Sequence, residues 1–97
     1  MDRQVALRII YDAIDIVNGL RAADDQVAKL PDVVLLGEDG ILDSLALTTL
    51  VLAIERMVEM QAGNSIALMA SPSLDENMSG LRTPASIAEL ILEQVGE

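Results

Sequence analysis

Apolar residues recur at helical spacing in three parts of the chain. A helix that buries one side of its surface repeats apolar residues every three to four positions. The repeat predicts helices over residues 2–20, 43–61 and 83–95. The positions that define them are Val5, Ala6, Ile9, Ile10, Ala13, Ile14, Ile16, Val17 and Leu20 in the first, Leu47, Leu50, Val51, Ile54, Met57 and Val58 in the second, and Ile87, Leu90, Ile91 and Val95 in the last.

Residues suited to helix ends stand at these boundaries. Asp2 and Asp43 precede the first two helices, and their carboxylates can accept hydrogen bonds from the free N–H groups of a first turn. Thr83 followed by Pro84 is typical of a helix start, and Gly63 is typical of a helix stop. Gly19 either ends the first helix or is tolerated near its end. The periodic segments are therefore predicted to be separate helices.

The connection between the first two helices is long, spanning residues 21–42. Residues 24–29 favour a short helical turn. The apolar run Val33–Leu36 is predicted to lie as a loop against the helices, because no second strand is indicated to pair with it. Residues 65–82 are irregular, with one short helix predicted between Pro72 and Gly80.

Composition narrows the class of protein. The chain has 97 residues, enough for one domain over 1–97, and its 52% hydrophobic content argues against disorder. The absence of Cys and His excludes disulfides and thiolate metal sites and removes the commonest general base. A net charge of −10 disfavours nucleic acid as a partner and suits proteins with basic patches. No segment indicates a signal peptide or membrane span, so we expect a soluble cytoplasmic protein.

The most informative stretch is the entry to the second helix. It reads Gly37-Glu38-Asp39-Gly40-Ile41-Leu42-Asp43-Ser44-Leu45. This Gly-x-Asp-Gly-x-x-Asp-Ser-Leu pattern resembles the modification loop of acyl carrier proteins, and the helix from Thr83 to Ile91 is similar to that family's closing helix. The resemblance covers most of the chain. It implies an all-α, acyl-carrier-like up-and-down bundle of three long helices plus one short helix, with a long loop between the first and second helices.

The resemblance also implies a function. Ser44 would carry a covalent 4′-phosphopantetheine arm taken from coenzyme A, with Asp43 and Leu45 beside it as recognition residues. The chain would be a non-catalytic, monomeric carrier that holds acyl groups as thioesters. Its expected partners are a phosphopantetheinyl transferase, an acyl-loading ligase or synthase, and acyltransferases. Physical chemistry agrees, because a phosphodiester on Ser44 would sit at a helix N-terminus, where N–H groups and the dipole favour an anion.

The second helix is the family's main docking surface, and we expect Leu47, Thr48, Glu55 and Glu59 to contact partners. Here the first two turns carry no acid beyond Asp43, whereas family members are usually acidic there. This difference predicts dedicated partners in a specialised lipid, polyketide or related pathway, rather than or alongside primary fatty-acid biosynthesis. The segment 65–82 is longer than in compact members, which predicts an altered acyl pocket or partner surface.

Other readings of the same residues stay open. An aminoacyl or peptidyl carrier would share the fold and the arm. From a different class, the chain could be an unmodified helical adaptor that binds a partner through its apolar faces. A hydrolase using Ser44 would need a nearby base, and the chain has no His and a single Lys, Lys29. The acids of residues 38–43 do not have EF-hand spacing, so no metal site is predicted.

Overall fold

Helix α1, Arg3–Asn18, supplies the surface against which the other two helices pack. The computed structural model describes residues 1–36, 42–63, 65–68 and 79–95, and of Ser44 and Ser79 only the backbone. Helix α2 spans Ser44–Ala62 and helix α3 spans Pro84–Val95. Across the described residues the regular structure is helical and includes no strand, which confirms the all-α prediction for that part of the chain.

The core lies between the apolar face of α1 and the facing sides of α2 and α3. The aliphatic side chains predicted to define α2 and α3 are largely buried, with Met57 and Val95 only partly covered. The single aromatic residue, Tyr11, packs half-buried at the edge. The fully buried large side chains are Ile10, Ile14, Leu35, Leu50, Ile54, Val58, Leu68, Leu81, Pro84, Ile87 and Ile91.

Two apolar residues assigned to the face of α1 lie outside the core. Ile16 is 47% exposed and Leu20 is 78% exposed. Each residue turns a helix by about 100°, and a face centred on Ile10, Ala13 and Val17 turns Ile16 toward solvent. Leu20 lies beyond the end of the helix, so helical periodicity no longer governs it. The predicted face was therefore too wide.

Helix α1 begins where predicted but ends two residues earlier. The Asp2 carboxylate accepts a hydrogen bond from the Val5 N–H at 2.9 Å, the geometry of an N-cap. At the other end, the Gln26 side-chain amide donates to the backbone oxygens of Asn18, Arg21 and Ala22. The helix ends at Asn18 with Gly19 as its C-cap, one of the two roles predicted for that glycine, and the Gln26 amide takes up carbonyls that a continuing helix would have bonded internally.

The other predicted helix ends are confirmed. Gly63 terminates α2 with φ of 76°, a left-handed conformation that glycine adopts without strain, and its N–H donates to the Glu59 oxygen at 2.9 Å. Before α3, the Thr83 hydroxyl accepts from the Ser86 N–H at 3.1 Å, while the Ser86 hydroxyl accepts from the Thr83 N–H at 3.0 Å. This exchange is a capping box with serine in the usual place of glutamate.

The connection after α1 is held by side chains and by α3. A short 3₁₀ turn forms at Ala23–Asp25, near the predicted helical turn. The Asn18 amide then bonds both backbone groups of Val27, at 2.7 and 3.1 Å, which fixes that buried residue. Farther along, the Leu35 N–H donates to the Arg82 oxygen at 2.6 Å. Leu35 is fully buried, so this segment lies against the helices as predicted.

The segment after α2 is clamped between two helices. The Glu55 carboxylate of α2 accepts the Leu68 N–H at 2.8 Å. The Gln94 amide of α3 bonds both backbone groups of Ala67, at 3.0 and 3.1 Å. Ile66 and Leu68 of this segment are buried over the core.

The radius of gyration, 12.4 Å, agrees with the value of about 12.5 Å expected for a compact domain of this length. The short helix predicted between Pro72 and Gly80 falls mostly on residues outside the described part. The structure describes the last two residues of that range, which belong to a 3₁₀ turn at Ser79–Leu81. The fourth helix and the up-and-down order remain predictions.

None of the described helices has the length and apolar character needed to cross a membrane.

The burial pattern predicts which truncations destabilise the fold. Ile54 is fully buried and Leu90 is 4% exposed, whereas Leu52 is 60% exposed on the same helix as Ile54. Ile54→Ala and Leu90→Ala should each lower the free energy of unfolding by about 2–5 kcal/mol, because each leaves a cavity. Leu52→Ala should cost less than about 1 kcal/mol. Urea unfolding followed by circular dichroism measures all three, and equal losses would contradict the assigned faces.

Candidate functional site

Asp43 caps helix α2 and so fixes the residue that follows it. Its backbone is extended, its Oδ1 accepts the Ala46 N–H at 2.8 Å, and its backbone oxygen accepts the Leu47 N–H at 2.9 Å. Ser44 is therefore the first residue of the helix. The capping role predicted for Asp43 is confirmed.

The start of α2 offers a position suited to an anion. In a helix capped this way, the N–H groups of Ser44 and Leu45 have no acceptor within the helix, and the dipole is positive at this end. A phosphodiester on Ser44 would lie next to both features. The loop from Gly37 to Ile41, which carries the glycines of the motif, lies outside the described residues.

The junction before Ser44 is tied to the core. Leu42 is 7% exposed, and its N–H donates to the oxygen of Leu35 at 3.1 Å. Leu35 in turn bonds Arg82, which lies just before α3. The residue two places before Ser44 is thus connected through backbone hydrogen bonds to the entrance of the last helix.

Leu45 turns away from the core. Its side chain is 77% exposed, whereas Leu47, two residues on, is 7% exposed. Leu45 lines a groove of about 280 Å³ between the start of α2 and the end of α1, together with Leu20, Arg21, Asp43 and others. Residues beyond the end of α1 therefore border the motif. Helical periodicity predicted Leu20 to be in the core, and no pattern in the sequence indicated Arg21 as part of the site.

The four predicted docking residues have different environments. Thr48 and Glu59 are exposed and accessible to a partner. Leu47 belongs to the core, so it presents little surface. Leu47, Thr48 and Glu55 line a second groove of about 190 Å³ along α2, which the exposed Leu52 completes with Val51.

Glu55 has a structural role that charge counting did not predict. Its carboxylate is half-buried and accepts the Leu68 N–H, so it anchors the segment after α2. Gln94, the other anchor of that segment, was also not predicted from the sequence, because 27 residues separate it from Ala67. The first turn of α2 contains no acidic residue. A partner that approaches this end of the helix therefore meets Leu45 and Thr48 beside the exposed carboxylate of Asp43.

Two basic side chains outside the motif, Lys29 and Arg21, form local ion pairs. Lys29 pairs with Asp15 at 3.1 Å, and Arg21 pairs with Asp25 at 2.9 Å while its Nε donates to the Asp25 oxygen. Among the residues that the structure describes, no group of three acidic side chains is arranged to hold a metal ion.

A scan against protein-family models, a search of curated proteins and a search of solved structures each found no match to this chain. Functional inference therefore depends on the motif and on the geometry around it.

Substitution of Asp43 tests the cap. Asp43→Ala should lower the free energy of unfolding by roughly 0.5–2 kcal/mol, because the Ala46 N–H loses its acceptor. Asp43→Asn should stay within a few tenths of the wild type, because an asparagine side chain caps comparably. Urea denaturation of both variants measures the difference. A loss for Asn as large as that for Ala would mean that the carboxylate charge, rather than the hydrogen bond, is what matters.

Substitution of Glu55 tests the anchor of the segment after α2. Glu55→Ala should cost roughly 1–3 kcal/mol and accelerate hydrogen exchange of the Leu68 amide, because a partly buried N–H loses a charged acceptor. Glu59→Ala, one turn farther along the same helix and exposed, is the matched control and should cost less than about 0.5 kcal/mol. Equal effects at the two positions would argue against an anchoring role.

Proposed function

We propose that this chain is a discrete acyl carrier protein that bears a 4′-phosphopantetheine arm on Ser44 and holds acyl groups on it as thioesters. The observation that carries the proposal is the Asp-Ser-Leu motif in its setting. Asp43 caps α2, Ser44 is its first residue, and a glycine-rich acidic stretch precedes them.

The setting suits attachment of an anionic arm. A phosphodiester on Ser44 is favoured by the N–H groups and dipole at the start of α2. The arm supplies a thiol to a chain that has no cysteine. The reactive chemistry then belongs to the arm and to partner enzymes, while the protein positions the arm and offers a recognition surface.

Asp43 has two compatible roles in this proposal. Its Oδ1 holds the Ala46 N–H, and the rest of the carboxylate is available to the transferase that installs the arm, since Asp43 is exposed. Leu45, also exposed, is the apolar contact for the same enzyme. The partners are this transferase, an acyl-loading ligase or synthase, and acyltransferases.

The surface of α2 favours dedicated partners. In family members an acidic second helix attracts basic docking sites, but here the exposed positions in the first turns include Leu45, Thr48 and Leu52. Apolar contact would then contribute more to docking than charge steering does. We therefore place the carrier in a specialised lipid, polyketide or related pathway. An aminoacyl or peptidyl carrier would use the same site with a different loading enzyme.

A second candidate function draws on the same exposed side chains. Leu45, Leu52 and Met60, which is 81% exposed, lie along α2 and suit an adaptor that binds a partner without modification. The two functions differ in whether Ser44 is modified.

Intact-protein mass spectrometry decides between them. After incubation with coenzyme A and a broad-specificity phosphopantetheinyl transferase, the wild type should gain one phosphopantetheine. Ser44→Ala should gain none, while Ser65→Ala, an exposed serine just beyond α2, should be modified as fully as the wild type.

An unchanged mass with several transferases, on protein shown by circular dichroism to be folded, would overturn the carrier proposal and favour the adaptor. Equal modification of Ser44→Ala would instead move the attachment site to another residue. Both outcomes are read from the same spectra.

A further inference from the structure

The groove between the end of α1 and the start of α2 remains open in the folded chain. Its volume is about 280 Å³, and buried Val17 lies at its base. Leu20 and Leu45 line it while remaining 78% and 77% exposed. Single exposed leucines are ordinary in proteins, but these two come from different segments and border one cavity.

We propose that this groove is the resting site of the phosphopantetheine arm, an inference that rests on the proposed modification of Ser44. The arm would leave Ser44, which lies between two residues that line the groove, Asp43 and Leu45. Its branched dimethyl group and methylene units would pack against Leu20 and Leu45. The thiol would then lie against the protein when no partner enzyme is bound.

The tether makes a weak site effective. A group attached by a short flexible linker reaches an effective concentration in the millimolar range near its attachment point. An affinity too low to matter for a free molecule therefore populates the groove when the molecule is attached to Ser44. Few contacts are required for such a site.

Size favours the arm over a partner protein. A helix with its side chains is about 10 Å across, and stable protein interfaces bury roughly 800 Å² on each partner. A groove of about 280 Å³ is slightly smaller than the usual small-molecule sites, whose volumes begin near 300 Å³. A thin, flexible chain fits that space, whereas a folded element does not.

Charges of both signs lie at the rim of the groove. Arg21 lines it, but its guanidinium is paired with Asp25, and the side chain is 14% exposed. Asp43 lines the same groove and is exposed. Charge therefore does not select the occupant, and the apolar contacts of Leu20 and Leu45 and the tether at Ser44 do.

The test compares two exposed leucines in the modified protein. The wild type, Leu20→Ser and Leu52→Ser are converted to the arm-bearing form, and the mass of each is checked. Leu20 lies outside any helix and Leu52 is 60% exposed, so both variants should fold. Leu52 lines the second groove of α2, which makes it a control for the alternative resting place.

Two measurements follow. In ¹H–¹⁵N spectra, attachment of the arm should shift the amides of Val17, Leu20 and Arg21 as well as those near Ser44. The rate of thiol alkylation by iodoacetamide should rise about twofold in Leu20→Ser, because a groove populated comparably with the open state loses its occupant. Leu52→Ser should alkylate at the wild-type rate.

The outcomes separate the two proposals. No mass gain in any variant would overturn both the carrier function and the groove. A mass gain with shifts confined to α2, and equal alkylation rates in all three proteins, would overturn the groove alone. Faster alkylation only in Leu52→Ser would also overturn it, by placing the arm in the other groove.

Discussion

The packing of α2 and α3 on the apolar face of α1 is the constraint from which the rest of the structure follows. Both helices contact α1, and the buried side chains on the three facing surfaces are aliphatic. Such a core stabilises by removing apolar area from water and has no directional bonds of its own. The rotation of each helix is therefore fixed by where its apolar stripe lies.

The rotation of α2 decides what its first turn presents. Leu47, Leu50 and Ile54 bury one side of the helix, and each residue turns the chain by about 100°. Leu45 is consequently directed outward, beside the residues that follow α1. The core thus sets which side chains the first turn of α2 exposes.

Side chains, rather than further regular structure, hold the long connections. Asn18 bonds both backbone groups of Val27, Gln94 does the same for Ala67, and Glu55 accepts from Leu68. Each bond satisfies a backbone group that has no helix or sheet partner, and unsatisfied groups of this kind are costly when buried. An acidic residue on a helix is therefore not automatically part of a docking surface.

Much of the fold was predictable because its signals are local. The caps Asp2, Asp43 and Thr83, and the stop at Gly63, each act within four residues, and all four appear in the structure. Gly19 likewise marks the end of α1 locally, whereas the bonds of the Gln26 side chain to the carbonyls there were not predictable, because they depend on Gln26 folding back. The anchor formed by Gln94 joins residues far apart in the chain, and periodicity carries no information about such pairs.

The same distinction between local signals and contacts of distant residues applies to the candidate site. The position of Ser44 at the start of α2 follows from the sequence, whereas the groove beside it depends on how α1 and α2 meet. The hydrogen bonds of Asp43 are explained by the fold alone, since any capped helix uses them. The exposure of Leu45 is different, because stability gains nothing from a leucine in water next to a capped turn. The proposed arm on Ser44 would therefore leave the chain between a residue that caps the helix and a leucine that is exposed to solvent.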